Sequence, residues 1–340
     1  MNDRPSRPPT PRSHNKAGRP VGHPPRVLFV GGTGRSGTHV IAKLLARHPR
    51  LAMVPVEVRF HVEEQGFPGL LAGRVTKDEF VKRMRGFWWK GFQTRRMRGL
   101  YRFVPEQTFE AALGSFEDRF DAEPEIACRR LFLDLLWPWA ERFGADSLVE
   151  QSCDTVTQAP TLVRLFGNAK FIHVVRDGRD ASASRVAQTR GLVYPRTRVQ
   201  GLEWWETRIR AIDAGARAIA PENLLTVSLD EMLRLGPRRG LKHICRFSGV
   251  YVNKRMKQFF NRRMSTDLAN AERWRRGLGD RRAAKLESRY VEIVDGLEAD
   301  GVGCTPLLRG TLDRSSAEPA DRGRPLAFLA GDGTPVGART

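Results

Sequence analysis

The chain has 340 residues, 40% of them hydrophobic, with seven Trp and 18 Phe. That is enough apolar mass for a sizeable core and too much for a disordered polymer. A formal charge of +20 points to a polyanionic partner (nucleotide, nucleic acid, sulfated sugar or acidic membrane surface) or to an arginine-rich solvated surface. The first 26 residues hold +5 and residues 309–340 hold +1, so the body between them is itself basic. Cys128, Cys153, Cys245 and Cys304 form no CxxC or Cys/His cluster, which argues against structural zinc and for a reducing, cytoplasmic setting. No apolar run reaches the roughly 18 residues of a membrane span, and the basic N-terminus lacks the apolar stretch of a signal peptide. A soluble intracellular protein is expected.

Residues 1–25 are Pro-rich, basic and aperiodic, and are predicted to be a disordered tail. Their "AGRP" is similar to the centre of minor-groove arms that insert arginine into DNA, but a single copy without a second basic flank reads as plain tail. "RVLFVGG" (26–32) is a continuous apolar run, as expected of a strand buried on both faces. A helix follows over 38–47, with Val40, Ile41, Leu44 and Leu45 on one side and His48-Pro49 ending it. Strands are predicted over 51–56, 146–152 and 169–178, and helices over 161–167 and 202–219. "ENLLTVSLDEML" (222–233) reads as strand and turn. Residues 75–145 interrupt the alternation with amphipathic helix and an aromatic, basic stretch, "RMRGFWWKGFQTRRMR" (83–98). That insertion is expected to be a helical cap with one or two side chains left to line a pocket. Residues 309–340 read as a second disordered tail. The alternation predicts an α/β domain over 26–308, with a central parallel β-sheet flanked by helices and ligands outside the carboxyl ends of its strands.

The turn between the first strand and helix carries the chemistry. From Gly32 the spacing GxxxxG closes at Gly37, the layout of a phosphate-binding loop. Thr38 and His39 then stand where an ATP-binding loop has Lys and Ser or Thr. His39 cannot take the loop's part in holding magnesium. The best later strand ends "FIHVVRDGRD", with Arg176 first and Asp177 behind it. A basic residue there suggests a second phosphate site, not a metal site.

Those two elements resemble the sulfotransferases that use 3′-phosphoadenosine 5′-phosphosulfate (PAPS). Their 5′-phosphosulfate loop typically reads K/R-S-G-T-T, here "RSGTH" at 35–39. Their 3′-phosphate element is a strand ending in Arg with Ser eight residues on, here Arg176 and Ser184. The resemblance covers about residues 26–280 and is nearest to the carbohydrate- and tyrosylprotein-type branch. It implies a P-loop-like fold, with Arg35 and the amides of Ser36, Gly37, Thr38 and His39 on the phosphosulfate. It also implies PAPS as co-substrate, no metal, and a hydroxyl-bearing acceptor (carbohydrate or small metabolite favoured, protein tyrosine the alternative). The family's "GEETR" matches "PVEVRFH", which puts Glu57 in the place of the catalytic base, with Arg35 stabilising the leaving group. His61 is the competing base. "MSTDLANAERWRRG" resembles a late nucleotide-binding element, offering Ser265, Arg273 and, as a stacking surface, Trp274. Ser228 stands where Tyr is usual, and Gln151 where many relatives have Lys. A magnesium-dependent ATP phosphotransferase is the second reading. A nucleic-acid-binding protein is the third and is not favoured.

Overall fold

The computed structural model describes residues 25–91, 99–264, 273–316 and 326–336. The tail expected over 1–25 falls, up to residue 24, outside the described residues. Six strands form one sheet: β1 (Arg26–Gly32), β2 (Leu51–Met53), β3 (Ser147–Glu150), β4 (Lys170–Val175), β5 (Leu224–Ser228) and β6 (Phe328–Ala330). Their order is β2-β3-β1-β4-β5-β6. The first five are parallel, with β1 between β3 (Phe29 opposite Glu150) and β4 (Gly32 opposite Val174). The continuous apolar reading of the first strand holds, because helices cover both faces of the sheet.

The alternation along β1 separates two cores. Val27 and Phe29 face one side, with Phe171, Phe132 and Phe166. Leu28 and Val30 face the other, with Ile41, Met232, Leu241 and Phe260. Phe29 is fully buried, its ring 5.3 Å from Phe171 and 5.7 Å from Phe166. Burying one such side chain stabilises the fold by about 2–3 kcal/mol. The second side is covered by α1 (Thr38–Leu45), by α9 (Leu229–Phe247), whose Oγ cap is Ser228, and by α10 (Lys254–Arg263).

Between β2 and β3 the chain is helical: α2 (Phe67–Leu71), α3 (Lys77–Arg83), α4 (Glu106–Phe120) and α5 (Pro124–Arg142). Trp88 is buried there, and Trp89 packs on Phe109 at 4.3 Å. Trp89, Lys90 and Tyr101 also line a surface groove. After β3 come α6 (Ala159–Leu165), then α7 (Gly178–Thr189) directly off the end of β4, and α8 (Arg198–Ala216). Leu202, Trp205, Ile209 and Ile212 form the buried face of α8, at the spacing the sequence predicts. A third cluster joins Leu202, Trp205 and Ile209 to α11 (Asp280–Ala299) through Trp274 and Tyr290.

The C-terminal segment corrects the sequence reading. α12 (Thr305–Ser316) runs into the region read as tail, and β6 adds an antiparallel edge to β5, Thr226 opposite Leu329. Phe328 is 1% exposed. The strand is only three residues long, between Gly/Pro-rich stretches, too short for its alternation to stand out.

Candidate functional site

The loop between β1 and α1 is built for an anion. Gly34 and Gly37 have φ of 79° and 98°, in the left-handed region that glycine reaches without strain. Gly37 is the N-cap of α1 and caps no amide with a side chain, and the first turn carries no acidic residue. The amides of Val40 and Ile41 both return to the Gly37 carbonyl, at 3.1 and 3.2 Å. Among the described residues, no protein acceptor takes the amides of Ser36, Gly37, Thr38 or His39. Four unused donors at the positive end of a helix favour a bound anion. Ser36 Oγ is buried and also lacks a hydrogen-bond partner. His39 turns its ring away, Nδ1 lying 3.4 Å from Gln151 Oε1. Burial and the neighbouring Lys43 lower its pKa, so the ring is neutral at pH 7 and adds no charge to the loop. Thr38 Oγ1 lies 3.9 Å from Cys153 Sγ.

The second element meets the first. Arg35, itself at φ 61°, donates from Nε to Ser184 Oγ at 3.0 Å across 149 residues of sequence. Arg176 donates from Nη1 to the Arg35 carbonyl at 3.5 Å. The structure thus brings Arg35, Arg176 and Ser184 together. Arg176 is 8% exposed and faces two carboxylates, Asp180 Oδ2 at 3.5 Å and Asp230 Oδ1 at 3.7 Å. Asp230 Oδ2 also accepts the Asp177 amide at 3.0 Å. Asp177 pairs with the buried Arg179, which reaches Glu287 as well. Asp180 Oδ1 accepts the Trp274 amide at 2.9 Å. Burial, and then the Asp177 charge, push the Asp180 carboxyl up to about 7, against the pull of Arg176. The sequence shows Asp180 four residues after Arg176 in "RDGRD". Nothing in it signals that Asp230, on another strand's end, joins the same cluster.

The late element is placed differently from its sequence reading. Trp274 is 1% exposed, its ring between Arg179 (4.7 Å) and Arg275 (4.4 Å). Arg198 holds the Trp274 and Arg276 carbonyls at 2.5 and 2.8 Å. Trp274 is therefore a packing residue and offers no open stacking surface. Ser265, and the side chain of Arg273, lie outside the described residues.

Glu57 lies beyond β2, exposed beside the buried Val58 and two residues before Arg59, which is at φ 59°. Arg59 pairs with Glu63 at 3.1 Å, and among the described residues Glu57 has no hydrogen bond or ion pair. Its surface is open, yet the cleft around it desolvates the carboxyl and raises its pKa, opposed by Arg59 and Arg35 and assisted by Glu150 and Asp154. His61 is different. It is fully buried, 2.9 Å from Glu150 Oε2, with its ring stacked on Phe29 and edge-on to Phe132. That placement makes His61 part of the core. Three residues the sequence reading passed over frame the same opening. Asp154 pairs with Arg208 of α8, and a side chain at residue 34 would come within 3.9 Å of the half-buried Trp204 ring. Trp204 also carries the Arg185 guanidinium at 5.5 Å. Beside the buried Trp205, a helix leaves Trp204 about 100° round from the core stripe, which was visible in the spacing.

Among the described residues, no group of three or more His, Cys, Asp or Glu is arranged to hold a metal ion, and no helix is long and apolar enough to cross a membrane. The donor set of four amides, two guanidiniums and hydroxyls fits a ligand with two separate anionic groups. Residues 25–254 match the family model described as Sulfotransferase family. The chain is 23% identical over 310 residues to the protein-tyrosine sulfotransferase of Drosophila melanogaster, covering 89% of this chain and 54% of the relative. It is 24% identical over 233 residues to protein-tyrosine sulfotransferase 2 of Gallus gallus, covering 66% of this chain and 51% of the relative. The chain thus spans about half the length of the curated relatives it matches. The solved sulfotransferase domain from the curacin biosynthetic pathway shares the fold, with a TM-score of 0.52 at 17% identity over 82% of this chain and 99% of that one. With the matched residues running from the first strand through the phosphate loop and the Arg176 element to the start of α10, the chain belongs to the sulfotransferase family.

Proposed function

We propose that the protein transfers a sulfuryl group from PAPS to the hydroxyl of an acceptor. The observation that carries this reading is the Arg35–Ser184 hydrogen bond, which joins a loop of unused amides to a strand end bearing Arg176. An ATP loop has no need of a second anion site there, whereas a nucleotide with a 3′-phosphate does. The amides of residues 36–39 and Arg35 would hold the 5′-phosphosulfate, and Arg176 and Ser184 the 3′-phosphate. PAPS supplies the sulfuryl group, and 3′-phosphoadenosine 5′-phosphate (PAP) leaves. Arg35 and the loop amides meet the negative charge that builds on the leaving phosphate oxygen. Glu57 takes the acceptor's hydroxyl proton as the new S–O bond forms. Its raised pKa makes it a stronger base than an ordinary glutamate. The transfer rate should therefore fall as pH drops through a value above the usual carboxylate range.

The Trp204 face beside the loop suits a ring-bearing acceptor, sugar or phenol alike. Carbohydrate or small metabolite is the acceptor class proposed. Protein tyrosine, the acceptor named by the curated relatives, is the alternative. The reading needs no metal ligand at position 39 and puts the protein in the cytoplasm. Four free cysteines, three of them buried, support a reducing compartment.

Thermal unfolding tests the donor: PAP without magnesium should raise the melting temperature by an amount set by its affinity. Stabilisation by magnesium-ATP alone would replace this reading with the phosphotransferase one. Mass spectrometry of extracts incubated with labelled PAPS identifies the acceptor. On it, Glu57→Gln should lower kcat by roughly 10²–10⁴ with PAP affinity unchanged, and an unaltered rate would remove Glu57 from the mechanism.

A further inference from the structure

Among the described residues seven large hydrophobic side chains are exposed, and four of them, Tyr101, Ile126, Phe143 and Tyr251, are separate in sequence. The other three are consecutive. Leu192, Val193 and Tyr194, 74%, 55% and 54% exposed, form the tip of the loop between α7 and α8. Isolated exposed apolar residues are ordinary, whereas a run of three in water has a cost that a function must offset. The tip is anchored on both sides. The amides of Gly191 and Leu192 return to the Val186 and Thr189 carbonyls, at 3.1 and 3.0 Å. Beyond it Pro195 is buried, the Arg196 amide donates to Gln200 Oε1 at 2.9 Å, and Tyr194 Oη donates to the Gln200 carbonyl at 3.4 Å. The apolar side chains are thereby held outward. Positive charge surrounds them. Between Asp180 and Glu203 the chain carries Arg185, Arg190, Arg196 and Arg198 and no acidic residue. Arg185 lies on Trp204, and Arg198 holds the Trp274 and Arg276 carbonyls. Arg190 and Arg196, on either side of the tip, are exposed.

We propose that this loop docks the protein on an anionic lipid surface, with Leu192, Val193 and Tyr194 entering the headgroup boundary and Arg190 and Arg196 meeting the lipid charges. Leucine and valine gain by leaving water, and tyrosine suits the interface. The arginine stems lie along the apolar boundary while the guanidiniums stay with the headgroups, each adding attraction within a Debye length of the surface. Shallow insertion of this kind needs no membrane-spanning helix, and none is present among the described residues. A protein partner fits the loop less well, because three side chains supply a fraction of the roughly 800 Å² per partner that a stable interface buries. A second copy of the chain fits less well again, since it would bring Arg190 and Arg196 of both copies together.

Co-sedimentation of the full chain with lipid vesicles tests this, using pure phosphatidylcholine, a phosphatidylcholine–phosphatidylserine mixture, and rising salt. The wild type should bind the mixed vesicles roughly tenfold or more tightly than the neutral ones. Leu192→Ser combined with Val193→Ser should weaken that binding roughly tenfold to a hundredfold and leave its salt dependence unchanged. Arg190→Gly combined with Arg196→Gln should weaken it roughly tenfold and flatten the salt dependence; glycine accepts the φ of 54° at residue 190 without strain. Both variants change exposed side chains and should melt as the wild type does. Where a double variant folds poorly, Leu192→Cys carrying a polarity-sensitive dye answers the same question, its emission moving to the blue on mixed vesicles alone. Equal mixed-vesicle binding by the wild type and the Leu192/Val193 variant would assign the attraction to the remaining basic surface and overturn the role of the loop. A dimer in the absence of lipid that is lost in the same variant would put a second copy on the tip and overturn it too. Failure of the wild type to bind mixed vesicles overturns it directly.

Discussion

The site has two arms that meet an anion in opposite ways. The β1–α1 arm offers uncharged donors, the four amides of residues 36–39, held ready by Gly34 and Gly37 and by an uncapped helix end. Its one permanent charge, Arg35, is exposed. The β4–α7 arm offers a single buried guanidinium, Arg176, already surrounded by carboxylates. Oriented dipoles carry no counter-charge that must be displaced, so the first arm is suited to oxygens whose charge grows during transfer. A buried arginine needs internal carboxylates to be tolerable when the ligand is away, so the second arm is suited to recognising a fixed charge that takes no part in bond breaking. On the proposed function, that difference suits the first arm to catalysis and the second to nucleotide selection.

Removing the charge of the first arm gives the largest effect. Arg35→Gly should lower kcat/KM for sulfuryl transfer by roughly 10²–10³. Arg35 sits at φ 61°, a conformation costly for a residue with a Cβ and free for glycine, and its hydrogen bond to Ser184 is an exposed one. Thermal stability should stay within about 1 kcal/mol of wild type. A large loss of stability together with activity would show that Arg35 holds the fold instead of the reacting group.

Removing the charge of the second arm should act on selection and on the fold together. Arg176→Ala should shrink the preference for PAP over adenosine 5′-phosphate, read as a ratio of Kd values, by roughly tenfold to a hundredfold. It also takes away the guanidinium that stands between the buried Asp180 and Asp230 carboxylates, so the melting curve should report about 3 kcal/mol of lost stability. The Arg35 and Arg176 variants should thus separate cleanly: one slow and stable, the other unselective and fragile. Equal loss of nucleotide selectivity in both would merge the two arms into one.

How much of this was legible depends on how local each feature is. β1, α1, β4 and the buried stripe of α8 follow from runs and spacings within 20 residues, and the sequence shows them. So do the GxxxxG turn and the Arg176–Ser184 spacing, because each joins one strand end to the first turns of the helix that follows it. The carboxylates around Arg176 were not legible as a cluster, since Asp230 reaches the Asp177 amide across 53 residues. Composition made this arm look basic, and burial makes it acid-rich. His61 illustrates the same limit from the other side. A histidine four residues from Glu57 reads as a rival base until the fold lays it on Phe29 and against Glu150, 89 residues away. β6 was lost for another reason: three residues give no periodicity to detect.

The smallest effects give the finest test, because one residue from each arm contributes a neutral group. Ser184→Ala removes a hydroxyl that already accepts from Arg35 Nε and that, on the proposed function, meets the 3′-phosphate. One neutral hydrogen bond is worth about 1 kcal/mol, so PAP should bind roughly fivefold more weakly. Adenosine 5′-phosphate should bind nearly as before. His39→Ala removes a side chain but keeps the amide that serves the loop. With the ring's pKa lowered by burial and Lys43, the wild-type imidazole carries no charge at pH 7.5 and gains one only as pH falls below the ordinary histidine range. Both nucleotides should therefore bind His39→Ala within about threefold of wild type at pH 7.5. The wild type should pull ahead only under acid conditions, when a charged ring would assist the loop. An advantage of wild type already present at pH 7.5 would mean that the first arm, too, relies on a side-chain charge, and the contrast between oriented amides and a compensated arginine would fail.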